Sequence, residues 1–157
     1  MSECRHPCFY LFPSIFFADR LFIGFEFQEK YMENNNQNWN TLTPEEEQVI
    51  AHKGTERAFT GEYNKHKGNG QFVCRRCNAP LYNSSAKFDS GCGWPSFDDE
   101  IPGAITRNTD ISFGMKRVEI VCANCDGHLG HVFDGEHMTE KNTRHCVNSL
   151  SIRFVAA

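Results

Sequence analysis

The sequence has no cluster of positive charge. Its 16 lysines and arginines are scattered among 20 acidic residues, for a formal charge of −4. A nucleic-acid binder replaces counterions with grouped cations, so no nucleic-acid partner is expected. A long apolar run is also missing. Phe9 to Ala18 (FYLFPSIFFA) is interrupted by Pro13 and Ser14 and is shorter than the about 20 residues that span a bilayer. No membrane partner is expected either. Strands and helices do not alternate, which argues against a parallel sheet. Repeats and heptads are absent. What is present is one domain's length, 157 residues, with 39% apolar residues and 14 phenylalanines for a core.

Cysteine is abundant, at 8 residues. Cys74 and Cys77 form one C-x-x-C pair, Cys122 and Cys125 a second. Cys4 and Cys8 lie near the start, and Cys92 and Cys146 stand alone. Paired C-x-x-C motifs suit metal binding in a reducing compartment better than a secreted disulfide framework. Each pair follows a short strand-like run and precedes a turn-forming residue, Asn78 or Asp126. Two such knuckles supply the four sulfurs of a tetrahedral zinc site, which leaves no open position for substrate and is therefore structural. The rival is a pair of thioredoxin-type redox dithiols, a motif that belongs in a βαβ context missing here.

Residues 1–31 read as an N-terminal extension. They resemble a signal peptide only weakly, since Arg5 is offset by Glu3 and no small-residue cleavage site follows. A start placed too early, with Met32 as the true one, is the preferred expectation. Cytoplasmic location follows from it; export is the alternative. Thr43, Pro44 and Glu46 make a capping box with proline at the first helical position, so a short helix is expected from Pro44 to Lys53, closed by Gly54. From Gly70 onward the pattern is short strands: QFVC, KF, AITRN, ISFGMKRVEIVC, HVFD and CVNSLSIRFV. The fold class is mainly β, with antiparallel sheets folded over a core and one helix near the N-terminal side.

Three stretches carry reactive side chains. In TRHCVNSLSIRF, alternation puts Cys146, Asn148, Leu150, Ile152 and Phe154 on one strand face, with Cys146 and Asn148 about 7 Å apart. Arg144 shares that face, and positive charge lowers a thiol pKa. Cys146 is thus either a reactive thiolate or a small core residue. In GHLGHVFDG, His128 and His131 are read as metal ligands, as proton-transfer groups, or as one catalytic and one structural histidine. His52, His66 and His137 read as surface residues. In FDSGCGWPSF, Trp94 either packs in the core or walls a pocket. Cys92 sits between Gly91 and Gly93.

Together FDSGCGWPSF, GHLGHVFDG, RHCVNSLSIRF, the two C-x-x-C pairs and the segment from Thr55 to Tyr63 resemble the methionine sulfoxide reductase B family, over residues 41–154. The resemblance implies a β-tent of two antiparallel sheets and peptide-methionine (R)-S-oxide reductase activity. It implies that Cys146 is the nucleophile and is left as a sulfenic acid. Cys92 would resolve it as a Cys92–Cys146 disulfide, which thioredoxin then reduces. His128 and His131 would bind or protonate the sulfoxide oxygen, Asn148 would be the site asparagine, and Trp94 would pack on the S-methyl group. Arg144 would favour the thiolate. One structural zinc is implied on Cys74, Cys77, Cys122 and Cys125, and a monomer is expected. The flanking glycines imply a Cys92 that travels to meet Cys146. His145 stands where the family often has an aromatic residue, and its titration is expected to alter the pH profile. The competing readings are a zinc-stapled binding module without enzymatic activity and a zinc hydrolase.

Overall fold

The computed structural model describes residues 39–157. The expectations for residues 1–31, including those touching Cys4 and Cys8, lie outside the described residues.

Helix α1 spans Pro44–Ile50. The Thr43 hydroxyl accepts the Glu46 N–H, and the Glu46 carboxylate accepts the Thr43 N–H (2.8 Å). The expected capping box is therefore formed. The helix ends three residues before Lys53, the expected end. Lys53 itself takes a left-handed φ of 57° and the Gly54 N–H returns to the Gln48 carbonyl (3.0 Å). The reversal thus falls on the residue before the glycine. Val49 and Ile50 are buried.

Nine strands follow: β1 (Gly70–Cys74), β2 (Pro80–Asn83), β3 (Lys87–Phe88), β4 (Ser96–Phe97), β5 (Ile105–Asp110), β6 (Arg117–Cys122), β7 (His128–Asp134), β8 (Thr143–Val147) and β9 (Ile152–Ala156). They form a three-stranded sheet in the order β2-β1-β9 and a six-stranded sheet in the order β3-β4-β8-β7-β6-β5. Every pairing is antiparallel. Aromatic rings join the sheets. Tyr82 of β2 stacks on Phe97 of β4 at 4.2 Å between centroids, and Phe72 of β1 meets Phe97 edge-on at 5.1 Å. Each such fully buried ring contributes on the order of 2–3 kcal/mol.

Two expected strands are broken. Residues 111–122 were expected to run as one strand. Instead Ser112–Gly114 form a 3₁₀ turn and only Arg117–Cys122 pair. The Asp110 carboxylate accepts the Ser112 N–H (2.9 Å) and Gly114 has a φ of 71°, which together reverse the chain. Ile111 and Met115, inside that expected strand, are 75% and 52% exposed. The second break divides CVNSLSIRFV. A 3₁₀ turn at Ser149–Ser151 separates β8 from β9, and the two strands belong to different sheets. One strand face from Cys146 to Phe154 therefore does not exist. β2 and β4 are too short or too interrupted to show in the sequence pattern. His66 is not a plain surface residue, since its ring packs against Phe154 at 4.1 Å and edge-on to Phe72.

Candidate active site

The two C-x-x-C knuckles fold identically. Asn78 and Asp126, the residues after them, have φ values of 62° and 55°. Their N–H groups return to the carbonyls of Cys74 and Cys122 (2.9 Å each). The first knuckle joins β1 to β2 in one sheet and the second joins β6 to β7 in the other. All four sulfurs lie within 4.8 Å of one another, with Cys74–Cys125 and Cys77–Cys122 at 3.6 Å. A tetrahedron of about 2.3 Å zinc–sulfur bonds separates its sulfurs by about 3.8 Å. The four cysteines therefore fit a metal ion. Hydrogen bonding to Cys122, with burial, pushes the Cys125 thiol up to about 12. Four thiolates so close require a cation between them.

Cys146 sits in β8, between β4 and β7. It is paired with Ser96 on one side and His131 on the other. Gly130 makes the β7–β8 approach possible, because a Cβ there would collide with the Cys146 carbonyl oxygen. A cavity of about 130 Å³ opens at the Cys146 sulfur, lined by Trp94, His131, Phe133, Asn148, Thr55 and Arg117 among others. The Trp94 indole is fixed by its N–H donating to the Glu56 carbonyl (3.0 Å). Asn148 does not extend a strand from Cys146. Its backbone N–H donates to Leu129 O (2.8 Å), its amide donates to the same carbonyl, and its side-chain oxygen accepts the Glu56 N–H (3.1 Å).

The histidines differ. His131 lines the cavity, and its Nε2 meets the Asp110 carboxylate at 2.8 Å, which Arg117 also holds. His128 is buried behind it, edge-on at 5.7 Å, with Nδ1 at 2.8 Å from Glu119 and Lys53 on the far side of that carboxylate. Burial holds the His128 pKa below its ordinary value despite Glu119, so the ring is neutral at neutral pH. His128 opens onto an adjoining polar cleft with Lys53, Asp110 and Glu119, and does not line the cavity beside Cys146.

Cys92 lies 3.8 Å from the Cys146 sulfur. The expectation of a travelling thiol is overturned by this distance and by the turn that holds it. Asp89 caps the Gly91 N–H (3.0 Å), and the Gly93 carbonyl accepts the Phe59 N–H (2.7 Å). Gly91 and Gly93 have φ values of 71° and 96°, so the glycines serve the turn. The two thiols compete for one proton. Hydrogen bonding to Cys146, then to Ser90 and its neighbours, brings Cys92 down to about 4 against opposing burial. The same bond and burial push Cys146 up, while Arg144 pulls it down. Arg144 is itself clamped by Glu136 (2.7 and 2.9 Å) and lies over the Phe133 ring at 4.6 Å.

His145 is fully buried on the opposite face of β8, among Tyr82, Arg107 and Glu100. Burial lowers its pKa. Its titration is therefore moved to more acid pH than that of an exposed histidine.

A SelR domain matches residues 42–156. The chain is 51% identical over 127 residues to peptide methionine sulfoxide reductase B5 of Oryza sativa subsp. japonica, an alignment covering 80% of this chain and 92% of that protein. The chain belongs to the peptide methionine sulfoxide reductase B family. A chloroplastic B2 protein of Arabidopsis thaliana is 54% identical over 114 residues, 72% of this chain and 55% of that longer relative. The Arabidopsis thaliana B9 protein is 50% identical over 125 residues, 78% of this chain and 86% of its own length.

Several residues that build this methionine sulfoxide reductase B site were not singled out from sequence. Glu56 is buried, and its carboxylate accepts the Ser149 and Leu150 N–H groups (2.6 and 3.0 Å). Glu119 and Arg117 stand two apart in β6, and the charge inside the apolar run VEIV was the available signal. Asp110, Ser90 and Ser96 carried none, because turn residues of these types are common.

Proposed function

We propose that this chain reduces methionine R-sulfoxide, free or in proteins, to methionine and so repairs oxidised protein. The observation that carries the reading is the pair of free thiols 3.8 Å apart at a cavity walled by Trp94 and His131. The catalytic unit is residues 41–154. The substrate's S-methyl group packs on the Trp94 ring. Cys146 passes its proton to the Cys92 sulfur, 3.8 Å away, and attacks the sulfoxide sulfur as the thiolate. His131, oriented by Asp110 and backed by His128, supplies the proton that the oxygen needs. Thiolate, sulfoxide and one proton become Cys146 sulfenic acid and the methionine thioether. Asn148 acts by position, tying Glu56 to Leu129 so that Trp94 faces Cys146. Arg144 offsets the negative charge near Cys146. Cys92 condenses with the sulfenic acid, and thioredoxin reduces the resulting disulfide by exchange. The chain works as a monomer.

Zinc is the ion proposed for Cys74, Cys77, Cys122 and Cys125. It supplies a structural tie between the sheets and takes no part in turnover. Among the described residues no helix is long and apolar enough to cross a membrane.

A single-turnover assay on the two diastereomers of a methionine sulfoxide peptide tests the reading. One methionine should form, with two thiols lost, from the R form only. Cys146→Ser should abolish it. Cys92→Ser should complete about one turnover and then stall with thioredoxin, because no internal disulfide forms. Normal steady turnover by Cys92→Ser would move the resolving role to an external thiol. Activity retained in Cys146→Ser would overturn the nucleophile.

A further inference from the structure

Behind Cys92 lie two serine hydroxyls that sulfoxide reduction does not use. Ser90 Oγ is 3.0 Å from Cys92 Sγ and 2.7 Å from Ser96 Oγ. Ser96 is fully buried in β4, directly opposite Cys146, and its hydroxyl is 3.6 Å from Cys92 Sγ. Each hydroxyl has one proton. Ser96 Oγ has two acceptors in reach, the Trp94 carbonyl at 3.3 Å and Ser90 Oγ at the shorter 2.7 Å; with its proton on the shorter contact, Ser96 donates to Ser90 and Ser90 donates to the sulfur. Ser90 Oγ also accepts the Cys92 N–H (3.4 Å), which turns its proton towards the sulfur. Chained donors of this kind polarise one another. Neither serine lines the cavity at Trp94 and Cys146.

We infer that Ser90 and Ser96 are positioning residues for the resolving half of the cycle, a hydroxyl relay that holds Cys92 as a thiolate facing Cys146. The inference rests on the proposed reductase cycle. The step it serves is attack of the Cys92 thiolate on the Cys146 sulfenic sulfur. The S–S bond forms and the S–O bond breaks. Cys92 is oxidised, the sulfenic sulfur is reduced, and the hydroxide leaves as water after taking a proton from solvent. A thiol at Cys92 attacks slowly, because the thiolate is the nucleophile.

Other charges face Cys92. Cys146 shares its proton, Arg144 on β8 adds positive charge that Glu136 largely offsets, and Asp89 lies in the same turn. The hydrogen bonds from Ser90 and Ser96 also help depress its pKa, after that from Cys146. A test must isolate the serines from these groups.

The first arm therefore needs no sulfoxide chemistry. In a Cys146→Ser background, the rate of Cys92 alkylation by iodoacetamide is followed against pH, with and without Ser90→Ala or Ser96→Ala. Loss of a hydrogen bond to a charged sulfur should raise the midpoint by about one pH unit. Ser90→Thr, which keeps the hydroxyl, should restore most of it. In the second arm, full-length zinc-loaded protein with Ser90→Ala or Ser96→Ala undergoes single turnover with the R-sulfoxide peptide. Methionine should form no more slowly than in the wild type, while the pH midpoint of thiol loss rises by about one unit, so that thiol loss slows by up to about tenfold below that midpoint. An unshifted alkylation midpoint in both alanine variants, or methionine formation slowed as much as thiol loss, would overturn the relay. A wild-type protein that makes no methionine would instead overturn the reductase reading and leave the first arm intact.

Discussion

Cys146 and Asn148 are two residues apart, yet their neighbourhood is produced by chain reversal. Asn148 is where β8 stops, and Glu56, far away in sequence, holds the turn by accepting two backbone N–H groups. Glu56→Ala should leave those buried donors unpaired and lower unfolding free energy by about 2–4 kcal/mol, read from a denaturant titration. It should also weaken activity, because Trp94 hangs on the Glu56 carbonyl. His145 has a consequence for pH. Its buried imidazole has a lowered pKa, so the unfolded chain binds the proton more readily. Folding stability is then lost as pH falls below about 6.5 towards the folded value. His145→Phe removes that loss. The stability difference between wild type and variant, measured by denaturation at several pH values, should shift in the variant's favour on acidification. A constant difference would refute it. The sequence marked Cys146, Trp94 and both histidines by residue type and company. It could not rank the histidines, because whether an imidazole faces a cavity or a buried carboxylate is a matter of strand pairing.

At the scale of elements, α1 and the knuckles were legible because their signals are local. A capping box and a C-x-x-C turn close within a few residues. Thr43→Ala should cost about 1 kcal/mol in thermal or chemical unfolding through loss of the cap. The β7–β8 pair depends on Gly130, where side-chain atoms would strike the neighbouring backbone. Gly130→Ala should destabilise the protein by roughly 1–3 kcal/mol and cut methionine formation by displacing Cys146. Unchanged activity in a folded Gly130→Ala protein would contradict this packing. Strands were overextended where apolar alternation continued through a turn, as at Ile111 to Met115 and at Leu150. Period-2 patterning records spacing and carries no information on where the backbone bends out of a sheet.

In the whole molecule, two sheets share one aromatic core, and the four-cysteine site pins the β1–β2 hairpin to the β6–β7 hairpin. Stripping the metal with a chelator should lower the melting temperature markedly and remove about one zinc per chain, checked by a thermal melt beside metal analysis. A melt unaltered by complete metal loss would reject the structural role. The site itself arises from the six-stranded sheet, the turn before β4 and the 55–59 segment, since Cys92 and Trp94 come from that turn, Cys146 from β8 and His131 from β7.

The sequence by itself determined the C-x-x-C knuckles, the helix cap, the mainly β class and, through the family resemblance, the two cysteines proposed to react. Those depend on residue type and on contacts closed within a short stretch of chain. Only the tertiary structure decided that Cys92 already waits beside Cys146 in a pinned turn, that His131 rather than His128 faces the cavity, and that Glu56 and two serines support the thiols. These are long-range outcomes. Sheet pairing and buried side-chain hydrogen bonds bring together residues up to 94 positions apart, and burial then sets which of them keep a charge.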